Sequence, residues 1–313
     1  MLGYALRRLA ATIPVMGVVA LFVFSLLYLS PGDPAAVIAG DIATEEDIAK
    51  IRAKLGLDQP YLVRFGTWLV SLSQGDLGTS IFTGLPVTTL IGQRLEPTLA
   101  LTLCTLIVAV ALAVPLGVLA AARAGGWIDR VVMGVSVVGF SVPVFVLAYG
   151  LVLLFSIHLE WLPVQGYSPL REGFWPFLRH MILPSVALGL TYMALIARIT
   201  RASMLDVLSQ DYVRTAHAKG LAPGTVLVRH ALKNAAVPIV TIIGIGIALL
   251  IGGVVVTETV FAIPGIGRLT VDAILRRDYP IIQGVTLLFS AVYVLVNLLV
   301  DLSYVLFDPR IRY

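Results

Sequence analysis

The chain has 313 residues, of which 58% are hydrophobic and 13% charged, where a soluble domain carries about 25% charged residues. This composition excludes an ordinary soluble protein and specifies an all-α polytopic membrane protein. The net charge of +4 is small, and its basic residues follow membrane topology rather than forming one patch, so nucleic acid is not an expected partner. The single cysteine, Cys104, lies within an apolar run and leaves no disulfide or thiolate-metal framework within the chain.

Behind Arg7 and Arg8, residues 9–30 form an apolar run of about twenty residues, enough to span a bilayer. It is longer than the apolar core of a cleaved signal peptide. The turn cluster Ser30-Pro31-Gly32-Asp33-Pro34 ends it, so residues 1–30 read as a first transmembrane helix. Residues 31–97 are polar and mixed and read as an extracytoplasmic segment. Within it, 45–56 predicts a short amphipathic helix closed by Gly56, and 61–72 a second helix on the membrane surface. Residues 98–307 form a transmembrane core, with spans at 99–122, 131–157, 182–199, 235–256 and 283–306, six with the first. The connection 123–130, the loop 200–235 and the tail 308–313 hold most of the basic residues beside helix ends, which places both termini in the cytoplasm.

The loop 200–235 is the most distinctive stretch. Met204, Leu205, Leu208, Tyr212 and Ala216 recur at helical spacing and predict one continuous helix over 202–219. Gly220 supplies a left-handed stop, with Pro223 shortly beyond it, and a second helical run covers 226–236. Arg198, Arg201, Arg214, Lys219, Arg229 and Lys233 crowd this hairpin against Asp206 and Asp211. By charge and periodicity alone, it is an amphipathic segment held by anionic lipid headgroups.

The spans contain almost no ionisable residue; Glu258, Asp301 and His158 fall near their ends. A proton- or sodium-coupled carrier stores its driving ion on such a group, and a charge-selective channel needs a ring of them. A neutral pathway driven from outside the membrane fits better than the rival reading, a self-contained carrier or channel with a lipid-binding hairpin. Gly244, Gly246, Gly252 and Gly253, with Thr241 nearby, permit close helix packing; as a group they also leave room for a substrate path between two subunits. Asn297 and Asp301, one turn apart, suit a helix-to-helix hydrogen bond. Phe261, Pro264, Gly265 and Gly267 mark an outer turn, either a simple tight turn or one that dips back into the membrane. No phosphate loop, zinc-protease motif or nucleophile elbow occurs, so the chain is not expected to be an enzyme or to bind ATP itself.

Arg214-Thr215-Ala216-His217-Ala218-Lys219-Gly220 resembles the EAA loop of ABC-importer permeases, in the variant of the dipeptide/oligopeptide family. Arg214 and Thr215 stand where the general pattern has Glu and Ala, and the closing Pro appears only at Pro238. Leu55-Gly56-Leu57-Asp58-Gln59-Pro60, Gly75-Asp76-Leu77-Gly78-Thr79-Ser80, the stretch from Phe261 to Arg268 and Arg277-Asp278-Tyr279-Pro280 are similar to the same family, as is the chain from Ser30 to Asp308-Pro309-Arg310. The resemblance implies a type I importer permease fold in a bacterial or archaeal cytoplasmic membrane. It implies one of two related permease subunits, with two ATPase subunits below holding ATP and Mg and an extracytoplasmic peptide-binding protein above. Asp211, Tyr212, Arg214, Thr215, Ala216, Lys219 and Gly220 would then form a coupling helix. Arg214 and Lys219 would meet acids on the ATPase, while Tyr212 and Ala216 supply an apolar seat. Members of the family carry dipeptides, longer peptides, glutathione or nickel complexes.

Overall fold

The computed structural model describes residues 2–29, 34–39, 43–54 and 56–307. Among these there is no strand, only one isolated antiparallel bridge between Thr79 and Pro86. The turn cluster Ser30 to Asp33 and the tail 308–313 lie outside the described residues. Helix α1 (Leu2–Leu29) is followed by two short helices, α2 (Pro34–Ala39) and α3 (Glu45–Lys54). Thr44 opens α3: its hydroxyl accepts the Asp47 N–H at 3.3 Å, and the Asp47 carboxylate accepts the Thr44 N–H at 3.2 Å. That reciprocal cap satisfies donors a helix start leaves free. Gly56 closes the segment at φ +62°. Helix α4 (Tyr61–Ser73) lies back on α1, where Phe24 and Tyr28 meet Tyr61, Phe65 and Trp68 with ring centroids 4.9 to 5.4 Å apart. Both predicted outer helices are therefore present.

Two very long helices organise the rest, α5 (Val87–Ala122, 36 residues) and α8 (Phe174–Leu208, 35 residues). At 1.5 Å per residue each is over about 50 Å long, well beyond a hydrocarbon core of about 30 Å. A Cβ on Gly117 of α5 would sit 2.6 Å from the Thr200 Cβ of α8, and one on Gly189 of α8 would sit 3.1 Å from Val108 of α5. The helices thus run parallel with their backbones nearly touching, and Ala109, Ala113, Met193, Ile196 and Ala197 fill the seam. Small residues are what permit such an approach in a membrane, where packing rather than hydrophobic expulsion drives association.

Between them lie α6 (Trp127–Ser141) and α7 (Val144–Leu151), the latter running into a π-helical stretch over Val152–His158. The sequence predicts one straight span over 131–157. Instead the pair is bent by 103° at Val142-Pro143, because proline lacks the N–H and the room to continue the α6 ladder. A 3-10 turn (Leu170–Glu172) leads into α8. Beyond α8 come α9 (Asp211–Ala218), a single turn α10 (Pro223–Thr225), a π-helical stretch (Val226–Leu232) and α11 (Ala236–Val260). Then follow α12 (Ile266–Arg276) and α13 (Tyr279–Phe307). Among the described residues five helices, α1, α5, α8, α11 and α13, are long and apolar enough to cross a membrane, and the bent pair makes a sixth crossing if counted as one span.

Helix α11 joins the central seam through Gly253, whose Cβ would lie 2.6 Å from Leu188 of α8. It meets α13 at Gly244, whose Cβ would lie 2.1 Å from Val300. Helix α13 in turn packs on α1 through Val23, Ala20 and Leu287. The packing can be tested by adding one methyl group. Gly117→Ala intrudes on Thr200, whereas a Cβ on Gly252 meets nothing within 4 Å. Overpacking of this kind costs about 1–3 kcal/mol, so Gly117→Ala should lower the thermal midpoint in detergent by several degrees while Gly252→Ala leaves it unchanged. Equal midpoints for the two variants would contradict the seam as described.

Candidate functional site

At one end of the bundle the basic loop folds as a compact hairpin. The predicted single helix over 202–219 is in fact two: α8 stops at Leu208, and Ser209-Gln210 forms a joint before α9. The joint is held locally, with the Ser209 hydroxyl donating to the Asp206 carbonyl at 2.8 Å and the Ser209 N–H to Leu205 at 3.2 Å. Gly220 stops α9 as expected, at φ +78°. Its N–H donates to His217 at 2.9 Å and the Leu221 N–H to Ala216 at 3.4 Å, the paired closing bonds of a Schellman motif.

Helix α9 has one buried and one exposed side. Val213 and Ala216 pack on Val226 of the return arm and on Val207 and Leu208 of α8. Ala216 is thus part of the hairpin's own core, because it lies one turn from Val213 on the inward face; it cannot form an outward seat together with Tyr212. Asp211, Tyr212, Arg214, Thr215 and Lys219 are all exposed. Arg214 leans on Asp211 at 3.4 Å, a surface pair of small energetic weight, and the Thr215 hydroxyl donates to the Asp211 carbonyl. The return arm is anchored deeper, where Ala231 packs with Met204 of α8, Ala121 of α5 and Ile239 of α11. The hairpin therefore presents a polar, mostly basic surface with one exposed aromatic ring, over an apolar underside that touches three long helices.

At the opposite end, two buried carboxylates organise the outer turns. Glu258, fully buried near the end of α11, accepts the Thr98 hydroxyl at 2.6 Å and the Arg268 N–H at 3.0 Å. Thr98 in turn accepts the Ile266 N–H at 2.8 Å. The first turn of α12 is thus capped by a side chain of α11 and one of α5. A Cβ on Gly265 would lie 2.0 Å from the Glu258 Oε1, and one on Gly267 would lie 2.7 Å from the Val255 Cα. Both glycines are required because the carboxylate and the α11 backbone occupy that space. Phe261 is buried in the central core and Pro264 is exposed. The segment is a tight turn into an amphipathic helix: Ile266, Leu269 and Ala273 of α12 pack on Val87, Leu90 and Ile91 of α5 and on Ile281 of α13. Asp278 likewise accepts the Ser80 hydroxyl at 2.5 Å and the Ile81 N–H at 3.3 Å. This joins the stretches at Gly75 to Ser80 and Arg277 to Pro280, almost two hundred residues apart in sequence.

The span glycines separate by environment. Gly244 and Gly253 are packing contacts within the chain, a Cβ on Gly246 would lie 3.8 Å from the Tyr192 ring, and Gly252 faces open space. Thr241 turns its hydroxyl onto the Val237 carbonyl. Of this group only Gly252 falls on the exposed stripe of α11, with Ile245, Leu249 and Val256. Asn297 and Asp301 line a cavity of about 320 Å³ between α13 and α1. The expectation of a nearly charge-free interior needs amending, since Glu258 is entirely enclosed. Its signal in the sequence is an acid closing an apolar helix seven residues ahead of Gly265.

The family described as binding-protein-dependent transport system inner membrane component matches residues 113–313, and the N-terminal component of such systems matches residues 1–102. A probable peptide ABC transporter permease protein of Sinorhizobium fredii is 58% identical over 310 residues, covering 99% of each chain. The glutathione transport system permease protein GsiC of Salmonella choleraesuis is 45% identical over 313 residues, and the dipeptide transport system permease protein DppB of Alkalihalophilus pseudofirmus is 41% identical over 333, each alignment covering 100% of both chains. With its helical bundle, five to six apolar crossings and full-length likeness to these proteins, this chain belongs to the binding-protein-dependent transport system inner membrane components, the multi-pass ABC-transporter permeases of the bacterial cytoplasmic membrane.

Proposed function

We propose that this chain forms half of the translocation pore of an ATP-driven importer for peptides, paired with a second homologous permease. Two ATPase subunits would seat on the hairpin, on the cytoplasmic side, and a peptide-binding protein would dock on the opposite side. The chain itself would hold no nucleotide; ATP and Mg would belong to the ATPase subunits. The observation that carries this reading is the hairpin: a compact, basic exposed surface mounted on an apolar underside that touches α5, α8 and α11 at once. Full-length relatives named for peptide, dipeptide and glutathione transport support peptides as the substrate class.

The mechanism follows from that mounting. Closure of the ATPase pair would displace α9, with the joint at Ser209-Gln210 as the point where α9 turns from α8. Because Val213 and Ala216 are packed on Val226, the return arm moves with it. Ala231 then transmits the displacement to the ends of α5, α8 and α11 together, and the pathway between the two permeases changes the side on which it opens. The lever is therefore a jointed hairpin rather than one stiff helix continuous with α8.

The experiment is ATP-dependent peptide uptake by the purified complex in proteoliposomes. Gly220→Val places a β-branched residue at positive φ and should cut uptake at least tenfold while the chain still inserts. Arg214→Glu with Lys219→Glu should lose co-purifying ATPase, whereas Ala216→Glu should instead destabilise the hairpin itself. Uptake by the permeases alone, with no ATPase present, would return the self-contained carrier to the front. On the outer side, Glu258→Ala leaves the Thr98 hydroxyl and the Arg268 amide short of an acceptor, a cost of about 1–3 kcal/mol. It should blunt ATPase stimulation by the binding protein more than basal hydrolysis. A proportional fall in both activities would argue against a specific outer role.

A further inference from the structure

Two arginines on α8 lie one turn apart and meet different fates. Arg201 is held by Asp129 of α6 through two bonds, Nε to Oδ1 at 2.5 Å and Nη2 to Oδ2 at 2.7 Å, and the Gly125 N–H donates to the same carboxylate at 2.8 Å. Arg198 makes no ion pair or hydrogen bond among the described residues; its guanidinium lies 6.0 Å from the centroid of the Phe140 ring. It lines a cleft of about 400 Å³ between α6 and α8, with Ser136, Phe140, Ser141 and Ala194.

The direction of the side chain matters. Phe140 stands eleven residues beyond Asp129 on α6, about 16 Å of helix farther from the hairpin end. The Arg198 guanidinium thus leans away from the hairpin end, as side chains lean toward a helix N-terminus, and with Phe140 and Ser141 it lies on an exposed face of the chain. A membrane arginine that merely snorkels sends its head to the nearest interface. Arginine cannot shed its proton, so this cleft keeps a positive charge among largely apolar walls with no internal counter-ion. The Ser136 and Ser141 hydroxyls already donate to the Val132 and Val137 carbonyls, each at 2.8 Å. Their oxygens can accept, which suits amide N–H groups rather than a second anion.

From this geometry we infer that Arg198, with Phe140 and Ser141 beside it, forms a subsite for the main-chain carboxylate of the transported peptide. The inference rests on the peptide-importer reading above and deepens it. A free terminal carboxylate is shared by linear peptides whatever their side chains. One planar guanidinium in a loose cleft can therefore grip many substrates briefly, and the ring supports the cation without neutralising it.

The test uses the complete complex in proteoliposomes, with trialanine as substrate. Uptake per ATP hydrolysed is compared for the wild type, Arg198→Gln and Arg198→Lys. Loss of one charge-assisted contact should lower this ratio roughly tenfold in Arg198→Gln, while Arg198→Lys recovers most of it. Hydrolysis stimulated by peptide-free binding protein should be unchanged in both. Each variant is also assayed in phosphatidylcholine vesicles with and without phosphatidylglycerol. A defect that persists equally in both lipids supports the substrate subsite; one that appears only with phosphatidylglycerol assigns Arg198 to a lipid phosphate and overturns it. A parallel fall of uptake and hydrolysis would show a merely structural role and also overturn it. Absence of trialanine uptake by the wild type, with hydrolysis intact, would instead sink the peptide reading on which the subsite rests.

Discussion

Everything in this molecule leans on the close approach of α5 and α8. Glycine, alanine and threonine line much of the seam, and the backbones come near enough that a single Cβ at Gly117 or Gly189 would meet its neighbour. In a bilayer, where lipid tails are as apolar as leucine, such contact is the main source of cohesion available to helices. Because the two helices are long and parallel, one seam reaches both ends of the bundle. At one end α5 offers Thr98 to the outer turn; at the other it offers Ala121 to the hairpin.

The two ends are held by different physics. The outer end is fixed by buried, directional hydrogen bonds, with the Glu258 and Asp278 carboxylates reaching across chain segments far apart in sequence. Such groups are costly to enclose unless satisfied, and once satisfied they define geometry sharply. The hairpin end is fixed by small apolar contacts, Val213 on Val226 and Ala231 on Met204, beside the Arg201–Asp129 ion pair, with the charges of α9 left in solvent. Apolar contacts tolerate sliding better than hydrogen-bonded carboxylates do. A rigid outer rim over an adjustable inner end suits the proposed reading, in which cargo arrives on one side and force on the other.

Much of this was legible in the sequence, for definite reasons. Apolar runs of about twenty residues mark the crossings, Gly56 and Gly220 mark helix stops, and the outer helices after Thr44 and Pro60 carry their own start signals. What stayed hidden depends on direction and depth. Hydropathy counts apolar residues without regard to where the chain points, so the bend at Pro143 was invisible to it. Periodicity ran unbroken through Ser209-Gln210, since a joint of two residues barely disturbs an i, i+4 pattern. Ala216 was placed on the outward face because its spacing from Tyr212 matches a helix, but only its neighbours in space decide which face is inward. Glu258 reads as a helix-end acid, which it is; nothing in its local sequence announces that Thr98, 160 residues earlier, closes over it.

The bend between α6 and α7 has a bearing on how the chain is made. A break of 103° exposes helix-end amides and carbonyls that hydrocarbon cannot satisfy. The protein surrounding the break comes largely from α8 and α11, both synthesised later. The shelter of that corner is therefore complete only once those later helices have packed around it.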